Sequence, residues 1–404
     1  MCFFAAAIPT LLCILVLSLQ SLFSPYASQS EAQRAKTITV QVPLGINKSL
    51  WRKRIPKDNP LSVEKVALGR ALYFDKRLSI DGTVSCATCH DPALAFTDAK
   101  VVAVGGRDRR GIRNAPTILN TVFNETFFWD GRATSLEDQV RHPLLSSFEM
   151  GMTNDRELTA RLSAIPEYQR QFKRVFQSEA LTIDTISKAI AAYERTLLSG
   201  NSPFDRFIAE QQTALTEAQK RGLTLFKGKA KCIECHTYSP QNPFLTDFKF
   251  HNTGVAVADT ALDELVRGFL KSSHDTSGTV LAHPAGFSEL GRFAVTLQDV
   301  DVGAFKTPTL RDIELTSPYM HDGSIKTLID VLQFYNRGGN ANRYLDKRIQ
   351  ALQLTDAEVN DLVEFLRSLT SDEVLRQCQT MMPQTRTAVP FFGESFLSRD
   401  PSYH

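Results

Sequence analysis

A mainly α-helical chain of two similar domains, arising from a tandem duplication, is what this sequence predicts. Three observations carry that expectation: helix-period apolar patterns with capping signals, a short cysteine motif that occurs twice, and flanking segments that repeat with it. The chain has 404 residues, a formal charge of +2 and 43% hydrophobic residues, a globular composition with room for two domains of about 150 residues. Near-balanced charge without a dense basic block excludes a nucleic-acid-binding surface.

The chain opens with "CFFAAAIPTLLCILVLSLQSLF" at 2–23, almost wholly apolar, and no charge precedes Glu31. Residues 1–32 therefore read as a secretory signal peptide, with small residues near Ser28 to Ala32 for cleavage, or as an uncleaved N-terminal membrane anchor. Either reading places the remainder outside the cytoplasm, with a periplasm as the expected compartment. A first domain is expected over 40–210 and a second over 211–375, joined near "GNSPFDRF", with a tail over 376–404. Helices are expected at "DRELTARLSAI", at "LTIDTISKAIAAYERTLL" and at "TDAEVNDLVEFLRSL", where Thr355 and Glu358 form a capping box and Val359, Leu362, Val363, Leu366 and Leu369 share one apolar face. The strand candidates are short, "TITVQV" among them.

Seven cysteines bound the chemistry. Cys2 and Cys13 fall in the leader, Cys378 stands alone as a free thiol in the tail, and the other four form "CATCH" and "CIECH". A zinc ribbon combines two pairs into one site at a spacing of about 15–20 residues, whereas these pairs lie 232 − 86 = 146 residues apart and each has its own histidine. A thioredoxin-like motif needs no such histidine. Covalent c-type haem uses every residue: Cys86, Cys89, Cys232 and Cys235 as thioether anchors, His90 and His236 as iron ligands. Two haem c groups in two cytochrome-c-like domains follow.

The repeat extends beyond the motifs. "ALGRALYFDKR" precedes the first and "KRGLTLFKGKA" the second, within "TALTEAQKRGLTLF", which opens with Thr216 and Gln219 as a capping box. Downstream, "APTILNTVFNETFFWDGRATSLEDQV" matches "TPTLRDIELTSPYMHDGSIKTLIDVL". Proline to the Asp-Gly glycine is 131 − 116 = 15 and 323 − 308 = 15 residues, and Leu136 and Leu328 share an offset.

Together with both cysteine motifs, "RNAPT", "FFWDGRATSLEDQ", "FEM", "KTPTLRD", "SPYMHDG" and "FYNRGG" resemble the bacterial di-haem cytochrome c peroxidase/MauG family over about residues 55–370. The resemblance implies an N-terminal peroxidatic haem, a C-terminal electron-transfer haem and a calcium ion between the domains. Members that need reductive activation carry a distal His eight residues before the Asn of "RNAPT"; here 114 − 8 = 106 is Gly106, so an open iron face is expected, with His142 the nearest substitute ligand. By the same resemblance Glu149 is the acid/base residue, Gln139 and Pro143 are its pocket neighbours, and Trp129 lies between the haems. Tyr335 takes the place of the distal Met of the second haem, with Met320 as the alternative ligand; Asn114, Thr316 and Pro318 match the calcium position. His321 occupies the repeat position of Trp129 and is expected to hydrogen-bond rather than ligate. A surface Trp through which MauG oxidises its protein substrate corresponds to Ala230.

The function expected is reduction of H2O2 to water at the N-terminal haem, with electrons passed through the C-terminal haem from a cytochrome c or a cupredoxin. The alternative is H2O2-dependent oxidative modification of a partner protein through an oxidised state shared by both haems. A non-enzymatic electron-transfer or haem-sensing protein is the reading from another class. A homodimer is compatible with all three.

Overall fold

The computed structural model describes residues 38–177, 180–255, 259–272 and 285–381. The leader expected at 1–32 and most of the tail lie outside the described residues. Helices α1 (Val63–Phe74), α2 (Leu136–Leu145) and α3 (Ile183–Glu194) build the N-terminal half. Helices α4 (Glu217–Lys227), α5 (Leu328–Asn336) and α6 (Asp356–Arg367) build the C-terminal half, and α7 (Asp372–Met381) follows. Among the described residues the strands are two residues long: β1 (Phe250–His251) pairs antiparallel with β2 (Phe305–Lys306). The expected strand at "TITVQV" does not form over 38–42, because Val40 and Val42 pack onto Trp51 and its neighbours instead of meeting a sheet edge.

Each helix starts where a side chain can accept from its orphan N–H groups. Ser62, Ser135 and Thr327 accept from the backbone N–H three residues on, and Thr182, Thr216 and Thr355 do so within reciprocal capping boxes. The expected boxes at Thr216/Gln219 and Thr355/Glu358 both form.

The two cores are organised by one arrangement used twice. Helix α1 crosses α3 at Gly69, where a Cβ would fall 1.8 Å from the Ala189 carbonyl oxygen and 3.1 Å from Tyr193 Cβ. Helix α4 crosses α6 at Gly222, where a Cβ would fall 2.0 Å from the Asp361 oxygen and 2.7 Å from Phe365 Cβ. The register is common to both, since 361 − 189 = 172 and 365 − 193 = 172. Around the first crossing pack Leu68, Leu72, Val140, Leu144, Ile186 and Ile190; around the second, Leu223, Phe226, Leu332, Val359, Leu362 and Phe365. A smaller cluster of Leu262, Phe269, Leu290, Phe293 and Val302 lies in the chain between β1 and β2.

Two features tie the halves together. Buried Asp205 closes a capping box with Ser202 and receives both terminal nitrogens of Arg311 at 2.9 and 2.8 Å, fastening the connecting segment to the second half. Helix α7 returns to the first half: Val374 and Cys378 join the N-terminal core, and Gln377 donates to the Pro92 carbonyl at 3.1 Å. This changes the expected boundary at 375/376. Cys378 sits on the apolar face of a packed helix rather than in a tail, and burial pushes its thiol up, away from reactivity.

Gly69→Ala and Gly222→Ala should each destabilise the protein by about 1–3 kcal/mol, because the added methyl meets backbone that cannot move aside. Gly286→Ala, with open space around its Cβ position, should stay within about 0.5 kcal/mol. Denaturant unfolding of the three variants measures the contrast.

Candidate functional site

Both Cys-x-x-Cys-His motifs open onto one cavity of about 450 Å³. The first forms a single turn, Cys86–Cys89, in which the Ser85 N–H donates to Thr88 Oγ1 at 2.9 Å and the His90 N–H to the Cys86 carbonyl at 2.9 Å. Tyr73 of α1 donates its hydroxyl to the His90 carbonyl, which ties the turn to the helix crossing. The second motif turns at Cys232–Glu234, and its His236 N–H donates to the Cys232 carbonyl at 2.8 Å.

Each histidine is held in the same way. Nδ1 of His90 lies 3.2 Å from the Phe96 carbonyl oxygen, and Nδ1 of His236 lies 2.9 Å from the Leu245 oxygen. A carbonyl can only accept, so it fixes the proton on Nδ1 and leaves the Nε2 lone pair to bind a metal. Burial lowers both imidazole pKa values and keeps the rings neutral, the form that ligates.

The cysteines fit thioether attachment better than the competing chemistries. Burial pushes all four thiols up, Cys89 and Cys232 to about 12 and Cys235 to about 11, opposite to the lowered values of redox-active pairs. Among the described residues the one cluster of three metal-type ligands is Cys235, Asp247 and His251, so the two motifs do not converge on a common zinc site. Two sulfurs and an anchored imidazole, present twice on one largely apolar cavity, match two c-type haems.

Toward the first motif the wall carries Gln139 and Pro143, one turn apart on α2, with Phe148 and Glu149 from the turn that follows. Burial pushes the Glu149 carboxyl up, opposed by the charge of Arg132 and a hydrogen bond from Ser146. The loop that would carry a distal histidine lies backbone to backbone against this turn. The Gly106 N–H donates to the Glu149 carbonyl at 2.7 Å, and a Cβ on Gly105 would fall 2.3 Å from the Phe148 oxygen. Gly106 is buried off the cavity wall, and the histidines on that wall are His90, His236, His251 and His321. His142 is elsewhere, buried edge-on against Phe128 and 3.6 Å from Asp138.

Toward the second motif both Tyr335 and Met320 reach the wall. Burial pushes the Tyr335 phenol up to about 12, while a hydrogen bond with Thr253 pulls it down. Between the halves, Trp129 donates Nε1–H to the Asn114 carbonyl at 2.9 Å, and its own carbonyl accepts from the Lys306 N–H at 2.8 Å. Asn114, Thr316 and Pro318 line the same cavity; the Asn114 amide nitrogen is committed to the Lys100 carbonyl at 2.8 Å, which turns Oδ1 away from that bond. His321 is buried, stacked on Phe305 at 3.5 Å between ring centroids, with Nε2 3.0 Å from Glu289.

Three groups on the wall escape the sequence reading. Lys306 is buried and its ammonium pushed down to about 8. His251 is clamped between Asp346 at 2.8 Å and Asp247 at 2.9 Å. Glu194, the last residue of α3, reaches the cavity from the first helix crossing. The repeat contained a signal for Glu194, since "AYERTLL" aligns with "EFLRSLT" at the common register. Nothing local in sequence marks the other two.

Ser at both Cys86 and Cys89 should leave one covalent haem per chain, as should Ser at both Cys232 and Cys235; combining the four should leave none. Intact mass and the haem spectrum of denatured protein count the groups.

Residues 63–213 match the family model for di-haem cytochrome c peroxidase. The chain is 39% identical over 318 residues to the methylamine utilization protein MauG of Methylorubrum extorquens, covering 78% of this chain and 81% of that one. It is 34% identical over 387 residues to cytochrome-c peroxidase IdrP1 of Pseudomonas sp. (strain SCT), covering 95% and 98%. Among solved structures it is similar to a MauG-like protein associated with microbial copper homeostasis, at 35% identity and a TM-score of 0.67 over 80% of this chain and 93% of that one. The diheme peroxidase BthA from Burkholderia thailandensis shares the fold at a TM-score of 0.61.

Proposed function

We propose that this chain, which belongs to the di-haem cytochrome c peroxidase and MauG family, reduces H2O2 to water with electrons from a small cytochrome c or cupredoxin. Membership makes it an oxidoreductase of the peroxidase kind and implies two haem c groups. The N-terminal haem, when bound, supplies the iron at which peroxide is reduced, and the C-terminal haem supplies an electron store. His90 and His236, each with Nδ1 turned to a backbone carbonyl, would hold the two irons.

The observation that carries this reading is the pairing of Glu149 with backbone glycine where a ligand would otherwise stand. Glycine cannot ligate, so peroxide meets a wall formed by Glu149, Gln139 and Pro143. Glu149 takes a proton from one oxygen of H2O2 and returns it to the other, so that one water leaves as the O–O bond breaks; two electrons from the donor and two protons from solvent convert the remaining oxygen to the second water. Gln139 orients the peroxide, and Trp129 relays electrons between the halves. Asn114, Thr316 and Pro318 bind Ca²⁺ through oxygen, fixing the segment that accepts the Trp129 N–H. The protein works in the periplasm after export by its N-terminal segment.

The second reading, oxidative modification of a partner protein, is favoured by Tyr335. A phenolate ligand stabilises ferric iron and opposes simple electron acceptance. Against it, Ala230 is buried at 4% exposure and offers no aromatic relay at the position where MauG has one.

Stopped-flow mixing of the diferric protein with stoichiometric H2O2, with and without reduced cytochrome c, tests the proposal. Reaction should begin without prior reduction, and reduced cytochrome c should be oxidised at the rate of turnover. A requirement for prior one-electron reduction would contradict the open wall.

Glu149→Gln should slow peroxide consumption by about 10²-fold, the scale of a lost acid/base group. Because burial raises the Glu149 pKa, its proton-accepting form is present only above that value; the wild-type rate should rise as pH passes through it, and Glu149→Gln should be flat. Tyr335→Met should raise the potential of the C-terminal haem and favour cytochrome c turnover. An unchanged potential and spectrum would move the ligand assignment to Met320.

A further inference from the structure

We propose that Glu194 is a redox-linked proton site of the N-terminal haem, binding a proton as that haem gains an electron and releasing it as the electron leaves. The inference rests on Cys86, Cys89 and His90 holding a haem in the cavity, and not on the peroxidase activity.

Glu194 is 6% exposed and stands on the cavity wall. Its carboxylate has no hydrogen-bond partner among the described residues, and the nearest opposing charge is Arg195. That guanidinium is already committed to Glu137 of α2, at 2.7 and 2.8 Å. The other titratable groups that interact with Glu194 are Glu137 of α2, whose like charge also raises its pKa, Tyr73 of α1 and Cys86 of the motif turn, with Tyr193 beside it on α3. Glu194 is therefore a nearly uncompensated carboxyl, in electrostatic contact with the first thioether position.

The fold does not require it. The two helix crossings share a register of 172 residues, so Glu194 corresponds to 194 + 172 = 366, and Leu366 also lines the cavity. An apolar side chain satisfies the same position in the second half. Burying a carboxyl there instead is unfavourable, and the difference between the halves is the presence of this acid beside the first motif.

Charge makes the acid responsive. In the protein alone, burial outweighs the charge of Arg195 and holds Glu194 neutral, its pKa pushed up to about 8. A ferric haem carries one more positive charge than a ferrous one, so it favours the carboxylate and the ferrous form favours the acid. The step balances: the electron comes from the redox donor and the proton from solvent, and both leave on reoxidation. Peroxide reduction consumes protons together with electrons, and Glu194 holds one proton beside the haem that holds the electron.

The test is spectroelectrochemical titration of the holoprotein between about pH 6 and pH 9, either side of the raised value. The N-terminal haem potential should fall with pH by up to about 59 mV per unit, the one-electron equivalent of a tenfold change in proton concentration. Glu194→Gln should remove the slope and Glu149→Gln should keep it, while the C-terminal haem, beside Leu366, should show none. A redox-difference infrared spectrum of the wild type should contain a deuterium-sensitive carboxylic acid C=O band that is missing in Glu194→Gln. A slope that survives in Glu194→Gln, a pH-independent wild-type potential, or a wild type without that band each overturns the proposal. If Glu194→Gln does not take up haem, the wild-type slope and infrared band decide alone. Failure of the haem assignment would be seen separately, as protein lacking covalent haem at Cys86 and Cys89.

Discussion

A glycine pressed against a carbonyl, where two helices cross, is the contact on which both halves depend. At Gly69 and Gly222 there is no room even for a methyl group, so the glycine-bearing helix lies directly on its partner and the spacing is fixed by backbone rather than by side chains. Everything at the cavity is placed from there. Tyr73, one turn beyond Gly69, reaches the His90 carbonyl and ties the first motif to the crossing. The last turn of each partner helix delivers its side chain to the wall, Glu194 in one half and Leu366 in the other. A frame set by backbone contact tolerates such a substitution, since neither residue is what separates the helices.

The charges divide into two populations. Asp205 with Arg311, Glu137 with Arg195 and Asp130 with Arg113 are paired within hydrogen-bond distance and hold segments together. Four groups on the cavity wall, Glu149, Glu194, Tyr335 and Lys306, have no such ion pair among the described residues. Burial pushes Glu149, Glu194 and Tyr335 up and Lys306 down, so each is driven toward its neutral form. A wall of that kind takes its charge state from what it encloses. At Glu194, positive iron draws the proton off and loss of that charge returns it, so electron transfer and proton transfer are coupled there by electrostatics alone.

Much of this was legible in the sequence. Thr followed three residues on by Gln or Glu announced α4 and α6, and the spacing of two cysteines and a histidine specified the cofactor. Those signals are local: a cap acts within one turn and a haem motif within five residues. The repeat also placed Trp129 and His321 at equivalent turns, and the structure finds one hydrogen-bonded to Asn114 and the other to Glu289. What was not legible is tertiary. Helix α7 carries an ordinary amphipathic pattern, and nothing in it says that Cys378 will pack on the first core rather than trail from the second. "TITVQV" has strand propensity but no edge to pair with. Lys306 and His251 have no motif; their importance comes from a cavity formed by segments far apart in sequence. Glu194 lies between these cases, visible once two helices outside the obvious repeat are aligned through their glycines.

The claim on which the functional reading turns is that the first iron has one protein ligand and an open face, because Gly105 and Gly106 lie flat against the Glu149 turn. Electron paramagnetic resonance of the fully oxidised, as-isolated holoprotein examines this directly. One high-spin signal from the N-terminal haem and one low-spin signal from the C-terminal haem are expected. Two low-spin signals with no high-spin component would mean that a side chain closes the first iron, and the open site would be wrong.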